Sequence, residues 1–425
     1  MKTQILLLTF LISTSAGFAA IKSGPMLGAR DMREASVWLQ CDPSEKAVLK
    51  YNADGKDCEI ALTADADGIC KFFLRGLKPA SKYQYELLVG GETASGELET
   101  VPDIELRTPP VDFSVAIAGQ NHVNDSVFDE PFKTPGGDFQ IYNAIKDKKP
   151  QALIWANNIA NFRPADWGSR SGIFARYAFE RSEKSLQELL KSVPNYGVIG
   201  AASYGAPKSD KRFIGRPDSI AAFKAFWTNA EVPNPAPGAS FFRYSDAEFF
   251  ILDDVSCRND LEIGDAKREF LGREQMEWLL VSLKNSKVTF KVIVMNSPFL
   301  NPVENEGNYI YAKEERKKFL EFILSQKIGG LVFASANKDY GEVTRMVRAG
   351  AKDLYEITAG PLTARPAKKP GEVNYFRQTS SAVLQRSFVM LSFGGKEGAR
   401  EVKLQFFDSV GESIYLHTIK QADLY

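Results

Sequence analysis

Histidine is almost missing from this 425-residue sequence, which carries only His122 and His417. That count constrains any metal centre, because imidazole is a principal ligand for the transition ions of hydrolytic sites. A net charge is missing as well: 53 Lys and Arg balance 53 Asp and Glu. The balance removes support for a general nucleic-acid binder or a polybasic membrane binder. No apolar run approaches the roughly twenty residues that span a bilayer. Neither a Walker-type nor a dinucleotide-type glycine loop occurs, which argues against the phosphate cradles those loops form. There is no internal repeat and no low-complexity tract. Cysteine is scarce, at four residues. Cys41, Cys58 and Cys70 fall in one region and leave room for one bridge, and the sequence does not choose the pair. Cys257 stands alone and reads as a small buried hydrophobe.

What is present describes a folded, β-rich protein. Apolar residues make up 44% and charged residues 25%, with 29 Phe and 15 Tyr. Such a composition excludes wholesale disorder and suits sheets that supply the cores. The length predicts two to three domains. At the N-terminus, Lys2, the apolar Ile5 to Ile12 and the small residues around Gly17-Phe18-Ala19 read as a secretory signal over 1–19, cleaved after Ala19. The expectation is export through a Sec-type signal to a periplasmic or extracellular location. No cysteine follows the apolar run, so a lipoprotein anchor has no attachment point, and no transmembrane segment is expected after cleavage.

Residues 21–108 read as all-β. Ala35 to Gln40 and Tyr83 to Leu87 alternate, Ala47 to Tyr51 is a less regular candidate, and Asn52-Ala53-Asp54-Gly55 and Gly90-Gly91 supply turns. Short strands at this spacing predict a fibronectin-like sandwich, with Tyr83 at its corner. Thr108-Pro109-Pro110 forms a stiff junction. Beyond it, from 111 to 425, the pattern changes. Short apolar runs at Phe113 to Ala118, Ala152 to Trp155, Tyr196 to Ile199, Glu248 to Leu252, Thr289 to Val294 and Gly330 to Ala334 read as strands. Helices are predicted at Phe139 to Lys148, Ser182 to Lys191, Arg273 to Leu283 and Glu314 to Ser325, and the tail from Phe388 is again strand-like. Interleaved strands and helices with a β-rich end predict a layered arrangement of both element types.

Several segments carry a more specific signal in combination: Gly24-Pro25-Met26-Leu27-Gly28 with Ala35-Ser36-Val37-Trp38; Pro164-Ala165-Asp166-Trp167 with Arg176-Tyr177 and Arg181; Phe249 to Asp253; and Leu271 to Leu279. Ser286 to Lys291, Tyr311 to Arg316 and Pro361-Leu362-Thr363 with Glu372 and Asn374 continue the pattern. Over nearly all its length after the signal, the chain resembles the PhoD-like alkaline phosphatase and phosphodiesterase family. The resemblance implies an α+β fold: an N-terminal fibronectin-like β-sandwich followed by a four-layer αββα metallophosphatase-like domain. It also implies phosphoric ester hydrolysis on divalent or trivalent metal ions.

The resemblance fails at the metal-binding elements. Where the family has Gly-Ser-Cys after the first strand, this chain has Ala118-Gly119-Gln120; where the family has Gly-Asp-Asn, it has Ala156-Asn157-Asn158. Gly200-Ala201-Ala202-Ser203 replaces Asp-Asp-His-Asp, and Ala336-Asn337-Lys338-Asp339-Tyr340 replaces Gly-Asp-Arg-His-Phe, with Glu342 following. The former metal positions are therefore Gln120, Asn157, Asn158, Gly200, Ala201, Ala202, Asn337 and Asp339. A dinuclear centre needs carboxylates to offset two cations about 3.5–4 Å apart and imidazoles to complete the coordination. An amide keeps an oxygen but not the charge, and Gly200, Ala201 and Ala202 keep no ligand atom. No metal is expected.

Weaker readings remain. His122 lies just past the first strand, where it can line the old cleft, although a lone histidine is more often a loop or core residue; His417 reads as a strand residue. Asp339, Asn157, Asn158, Asn337 and Glu342 offer oxygens to Ca²⁺, but only two of them are anionic. Ala201-Ala202-Ser203-Tyr204-Gly205 is a relaxed nucleophile elbow without a following helix or a suitable histidine. Arg163, Arg176 and Lys338 are candidate anion contacts, with Arg163, Arg176 and Arg181 more simply read as structural ion-pair members. Lys338, Lys208 and Arg212 predict a cationic cleft rim, and Lys368-Lys369 a solvated loop. The sequence thus predicts a pseudophosphatase in a binding or scaffolding role. One alternative is an alkaline phosphatase or phosphodiesterase with an atypical metal site. A second is a metal-free binder of an anionic or phosphate-bearing ligand.

Overall fold

The computed structural model describes residues 20–102, 109–127, 129, 135–233 and 236–425. The expected signal, 1–19, lies outside the described residues, as do 103–108, which include Thr108 of the expected junction.

Seven strands open the chain: β1 (Ile21–Arg30), β2 (Glu34–Cys41), β3 (Lys46–Ala53), β4 (Lys56–Thr63), β5 (Ile69–Arg75), β6 (Lys82–Val89) and β7 (Glu92–Glu99). They form two antiparallel sheets, β1-β2-β5 and β4-β3-β6-β7. In β6 the alternation is strict: Tyr83, Tyr85, Leu87 and Val89 point inward and Lys82, Gln84 and Glu86 outward. The Tyr83 hydroxyl accepts from Lys78 N–H at 2.8 Å, which fixes the predicted corner. By contrast, β2 is buried from Ala35 to Cys41. One face, with Val37 and Leu39, joins the sandwich core, and Trp38 on the other joins the next domain.

The second domain runs in the order β8 (Phe113–Ala118), α1 (Ile141–Asp147), β9 (Ala152–Trp155), α2 (Arg170–Glu180), α3 (Lys184–Ser192), β10 (Asn195–Gly197), α4 (Arg216–Phe226), β11 (Ser240–Tyr244) and β12 (Ala247–Ile251). It continues with α5 (Arg273–Asn285), β13 (Phe290–Val294), α6 (Lys313–Ser325), β14 (Leu331–Ser335), β15 (Glu342–Met346), β16 (Leu354–Thr358), β17 (Ser387–Gly394), β18 (Glu401–Asp408), β19 (Ser413–Lys420) and α7 (Gln421–Leu424). Two six-stranded sheets result, β10-β9-β8-β17-β18-β19 and β11-β12-β13-β14-β16-β15. Their facing sides share one core that includes Ile117, Ile154, Phe249, Val292 and Leu391. The outer face of the first sheet is covered by α1, α2, α3 and α4, and that of the second by α5 and α6. The fold is α+β, with an N-terminal sandwich and four αββα layers. Fully burying one of these large apolar side chains contributes about 1.5–3 kcal/mol.

The predicted strands and helices recur with bounds shifted by a few residues. Three helices, α2, α4 and the short terminal α7, were not foreseen, nor were the strands β11, β15 and β16. In α2 the inward positions include Arg176 and Glu180, so the apolar periodicity is broken by a buried ion pair. Ser169 caps it, accepting from Gly172 N–H at 3.1 Å. In α4, Pro217 falls in the first turn, where its missing N–H costs nothing.

The domains meet around Arg181, which is fully buried. Its guanidinium faces the rings of Trp38, Tyr177, Phe226 and Trp227 at 4.8–5.6 Å. Trp38 Nε1 also donates to the Ala225 carbonyl at 3.0 Å. Gly28 in β1 is required there, because a Cβ would lie 1.6 Å from Thr228 Oγ1.

Candidate functional site

The parallel strands β8, β9, β10, β12, β13, β14 and β16 point their carboxyl ends toward one edge, the usual place for ligand-binding loops in such sheets. Asn296, after β13, ties these loops together. Its Nδ2 donates to Asn157 Oδ1 at 2.9 Å, and its Oδ1 accepts from Ala201 N–H at 3.1 Å. The Asn296 carbonyl accepts from Ala336 and Asn337 N–H at 3.1 and 2.9 Å. Beneath it, buried Asp254 accepts from the N–H groups of Asn296 and Ser297 at 2.8 and 2.9 Å. Burial raises the Asp254 pKa, and Arg258, 3.7 Å away, works against that rise. Asn157, Asn296, Ala201 and Asn337 thus meet in one neutral corner, and Asn157 Nδ2 is buried there without an acceptor.

Gly200 is pressed against this corner. A Cβ on it would sit 2.2 Å from Asn157 Oδ1 and 2.5 Å from the Asn157 carbonyl oxygen. The loop after β10 has therefore closed onto the loop after β9 at a distance only glycine permits. Ala202 extends the contact, its carbonyl accepting from Phe162 N–H at 2.7 Å. Ser203 is buried, and its hydroxyl bonds back to Gly200 at 3.1 Å, so the relaxed elbow presents no exposed nucleophile.

The other positions do not converge on this corner. Asn158 adopts a left-handed backbone (φ 65°) and turns into the helical layer, donating to Tyr177 at 2.7 Å and accepting from Trp227 Nε1 at 3.2 Å. The Gln120 carbonyl accepts from Leu362, Thr363 and Ala364 N–H at 2.8–3.3 Å. Asp339 is exposed. Glu342 is buried on Arg377, Asn301 and Asn374. Asn157, Asn158, Asn337, Asp339 and Glu342 thus form no common oxygen cage. His122 Nε2 lies 3.1 Å from Asp129. Burial depresses the His122 pKa, Arg176 adds to that, and Asp129 opposes it. His417 lies on β19, with Tyr355 at 5.4 Å. Among the described residues, no group of three or more His, Cys, Asp and Glu side chains is placed to hold a metal ion.

The cationic rim read from the sequence is neutralised. Lys338 pairs with Glu372 at 2.6 Å, Lys208 with Glu306 at 2.8 Å, and Arg212 with Asp210 and Asp260 at 2.8 and 2.6 Å. Burial resists ionisation of Glu372, but Lys338 and the amides of Asn308 and Asn305 hold its carboxyl below the usual range. Arg163 chelates Asp166 at 2.9 Å and reaches Asp125 at 3.2 Å. Arg176 is buried against Glu180, which also accepts from Val123 N–H at 2.8 Å. Burial pushes the Glu180 pKa up, against the pull of Arg176.

Residues 216–405 match the model of the PhoD-like phosphatase family. The whole fold matches a solved structure described as PhoD, with a TM-score of 0.76 at 15% identity, covering 96% of this chain and 90% of that one. The chain has the fold of PhoD, and its residues 216–405 are similar to the PhoD-like phosphatase family. Two other structural matches are remote: a Vps29 mutant from Entamoeba histolytica (TM-score 0.28, 9% identity, 72% of this chain and 98% of that one) and a carbohydrate acetylesterase from Xanthomonas citri (0.24, 10%, 74% and 60%). No curated protein matches the chain. The segment matching the PhoD-like model contains Asp254, Asn296 and Asn337, whereas Gln120, Asn157 and Gly200–Ala202 precede it.

Sequence reasoning missed Asn296, Asp254, Arg258 and Glu180. Asp253-Asp254 at the carboxyl end of an apolar strand was the one visible signal. Cys41 and Cys70 lie on the paired strands β2 and β5, with Cys58 on β4, and all four cysteines are free thiols.

Proposed function

We propose that this PhoD-like protein is an exported pseudophosphatase, a metal-free cleft retained for binding rather than hydrolysis. The neutral corner carries this reading: where a dinuclear centre needs carboxylates and imidazoles, the chain sets Asn157 against Asn296 and brings Gly200 against the Asn157 backbone. Those residues do not fit two cations, since amide oxygens leave the ionic charge uncompensated and no imidazole joins them. The unpartnered Asn157 Nδ2 supports a binding role, because a buried donor is favoured by any ligand oxygen that completes it. Export rests on the N-terminal Lys2, the apolar Ile5 to Ile12 and the small residues ending at Ala19.

Metal analysis of the full purified chain after dialysis tests the proposal. Well under one equivalent of transition metal is expected, together with no hydrolysis of an aryl phosphate. Retention of about two ions per chain, the stoichiometry of a two-metal hydrolase, or aryl phosphate hydrolysis abolished by a chelator, would establish the alternative, an alkaline phosphatase or phosphodiesterase with an atypical metal site.

A further inference from the structure

A second cavity, of about 980 Å³, opens at the seam of the two domains, away from the loops that carry Asn157 and Gln120. Its walls come from the end of β1, from β5, from the C-terminal end of α4 with the segment after it, and from β11. Cavities of up to about 1,000 Å³ at domain interfaces are typical places for small organic ligands.

The wall is chemically one-sided. Six cationic residues line it, Arg30, Arg33, Lys71, Arg75, Lys224 and Arg243, against the acids Asp31, Glu34 and Glu231. Among the described residues only Arg75 has a carboxylate partner, Glu34 at 2.8 Å. The Asp31 carboxylate is occupied by its own turn, accepting from Arg33 and Glu34 N–H at 2.6 Å each. Lys71 is held by backbone alone, donating to the Lys224 carbonyl and, at 2.9 Å, to that of Trp227. Burial draws its pKa down to about 8, against the pull of Asp65 and of Glu231 in the wall. Arg243 is the decisive residue: its Nε is buried and has no hydrogen-bond partner. A buried donor left unmade is costly, and a charged one more so, unless an acceptor arrives.

The wall also offers flat apolar surface. Phe73 is 41% exposed on β5 with the Arg75 guanidinium 5.9 Å from its ring centre, and Phe241 is half-buried, whereas Trp227 lines the wall almost fully buried. Unpaired cations beside exposed ring faces select ligands that combine an anionic group with a flat apolar body.

We infer that the seam cavity binds a small aromatic anion, a carboxylate, sulfonate or phosphate on a ring system, with Arg243 and Lys71 receiving the anionic group and Phe73 the ring. This site is independent of the former metal cleft, and its occupancy neither requires nor excludes hydrolysis there.

The test is a fluorescence titration of the full chain with 8-anilinonaphthalene-1-sulfonate, an aromatic sulfonate, at low salt. Saturable binding at one site is expected, weakening as salt rises. Arg243→Gln should weaken it about tenfold, the usual scale for losing one charge-assisted contact. Phe73→Ser and the charge reversal Arg33→Glu should each weaken it several-fold. These two alter exposed or rim positions, and they carry the test if Arg243→Gln does not fold by circular dichroism. Thioflavin T, a cationic aromatic dye, should show no saturable binding. Absence of saturable sulfonate binding, equal binding of thioflavin T, or an affinity unchanged in all the folded variants overturns the proposal.

Discussion

At the floor of the cleft, where the ends of β9, β10 and β13 meet, the side chains in contact are neutral: Asn157, Asn296 and Ala201, closed over by Gly200. In the ring around that floor, four acids have bases of their own: Glu180 with Arg176, Glu342 with Arg377, Glu372 with Lys338, Asp254 with Arg258. The difference bears directly on the proposed metal-free cleft. A carboxylate facing a bound cation is left unbalanced when the cation goes, and in low dielectric that is costly. A carboxylate facing an arginine is indifferent to the loss. The floor and the ring therefore differ in the way expected of a site where protein charges alone must balance.

The sharpest way to break this comparison is at the ring. Arg176→Met removes the base of a fully buried pair and leaves Glu180 stranded, so a loss of about 3–5 kcal/mol is expected from urea unfolding. A loss below about 1 kcal/mol would mean that the ring pairs are not what balances the buried acids.

Glu356 on β16 sharpens the comparison, because it is a buried acid balanced by neither route. It accepts from Phe299 and Leu300 N–H at 2.8 and 2.7 Å and from the Ser335 hydroxyl at 2.8 Å, with no base in contact. Burial pushes its pKa up to about 7, and the N–H donors oppose that rise. The folded chain thus holds this proton more tightly than the unfolded chain, whose glutamates titrate near 4.3. The resulting stabilisation is full below about pH 4.3 and is lost as pH climbs to about 7, up to about 4 kcal/mol in all. Glu356→Gln, which has no proton to lose, should reduce the slope of the stability profile between about pH 4.3 and 7. An unchanged slope in urea midpoints measured across that range would rule this out.

The smallest expected effect is at the floor. Gly200→Ala meets backbone at 2.5 Å and should cost about 1–3 kcal/mol, the range for overpacking a close contact. A cost under about 0.5 kcal/mol would show that the loop after β10 can withdraw and reopen the cleft.

Much of the fold was legible because buried strands such as Phe290–Val294 and Leu331–Ser335 read as apolar runs between turn residues. Helix α2 was not, because its inward face carries Arg176 and Glu180 and the 3.6-residue apolar period dissolves. At the site, the replaced ligand positions were plain from local sequence, since a glycine or alanine declares its lack of donor atoms wherever it folds. Their partners were hidden by distance along the chain. Asn157 meets Asn296 across 139 residues, and Lys208 finds Glu306 nearly a hundred residues on, so local spacing could announce neither the neutral corner nor the cancelled rim.

The stack at the domain seam has a spectroscopic consequence. Trp38 from the sandwich and Trp227 from the second domain share one guanidinium, Arg181, and Trp227 also forms part of the seam cavity wall. Two of the chain's five tryptophans therefore stand where the modules touch. Indole emission, with no label attached, is a native optical gauge of whether that junction is closed, parted or occupied.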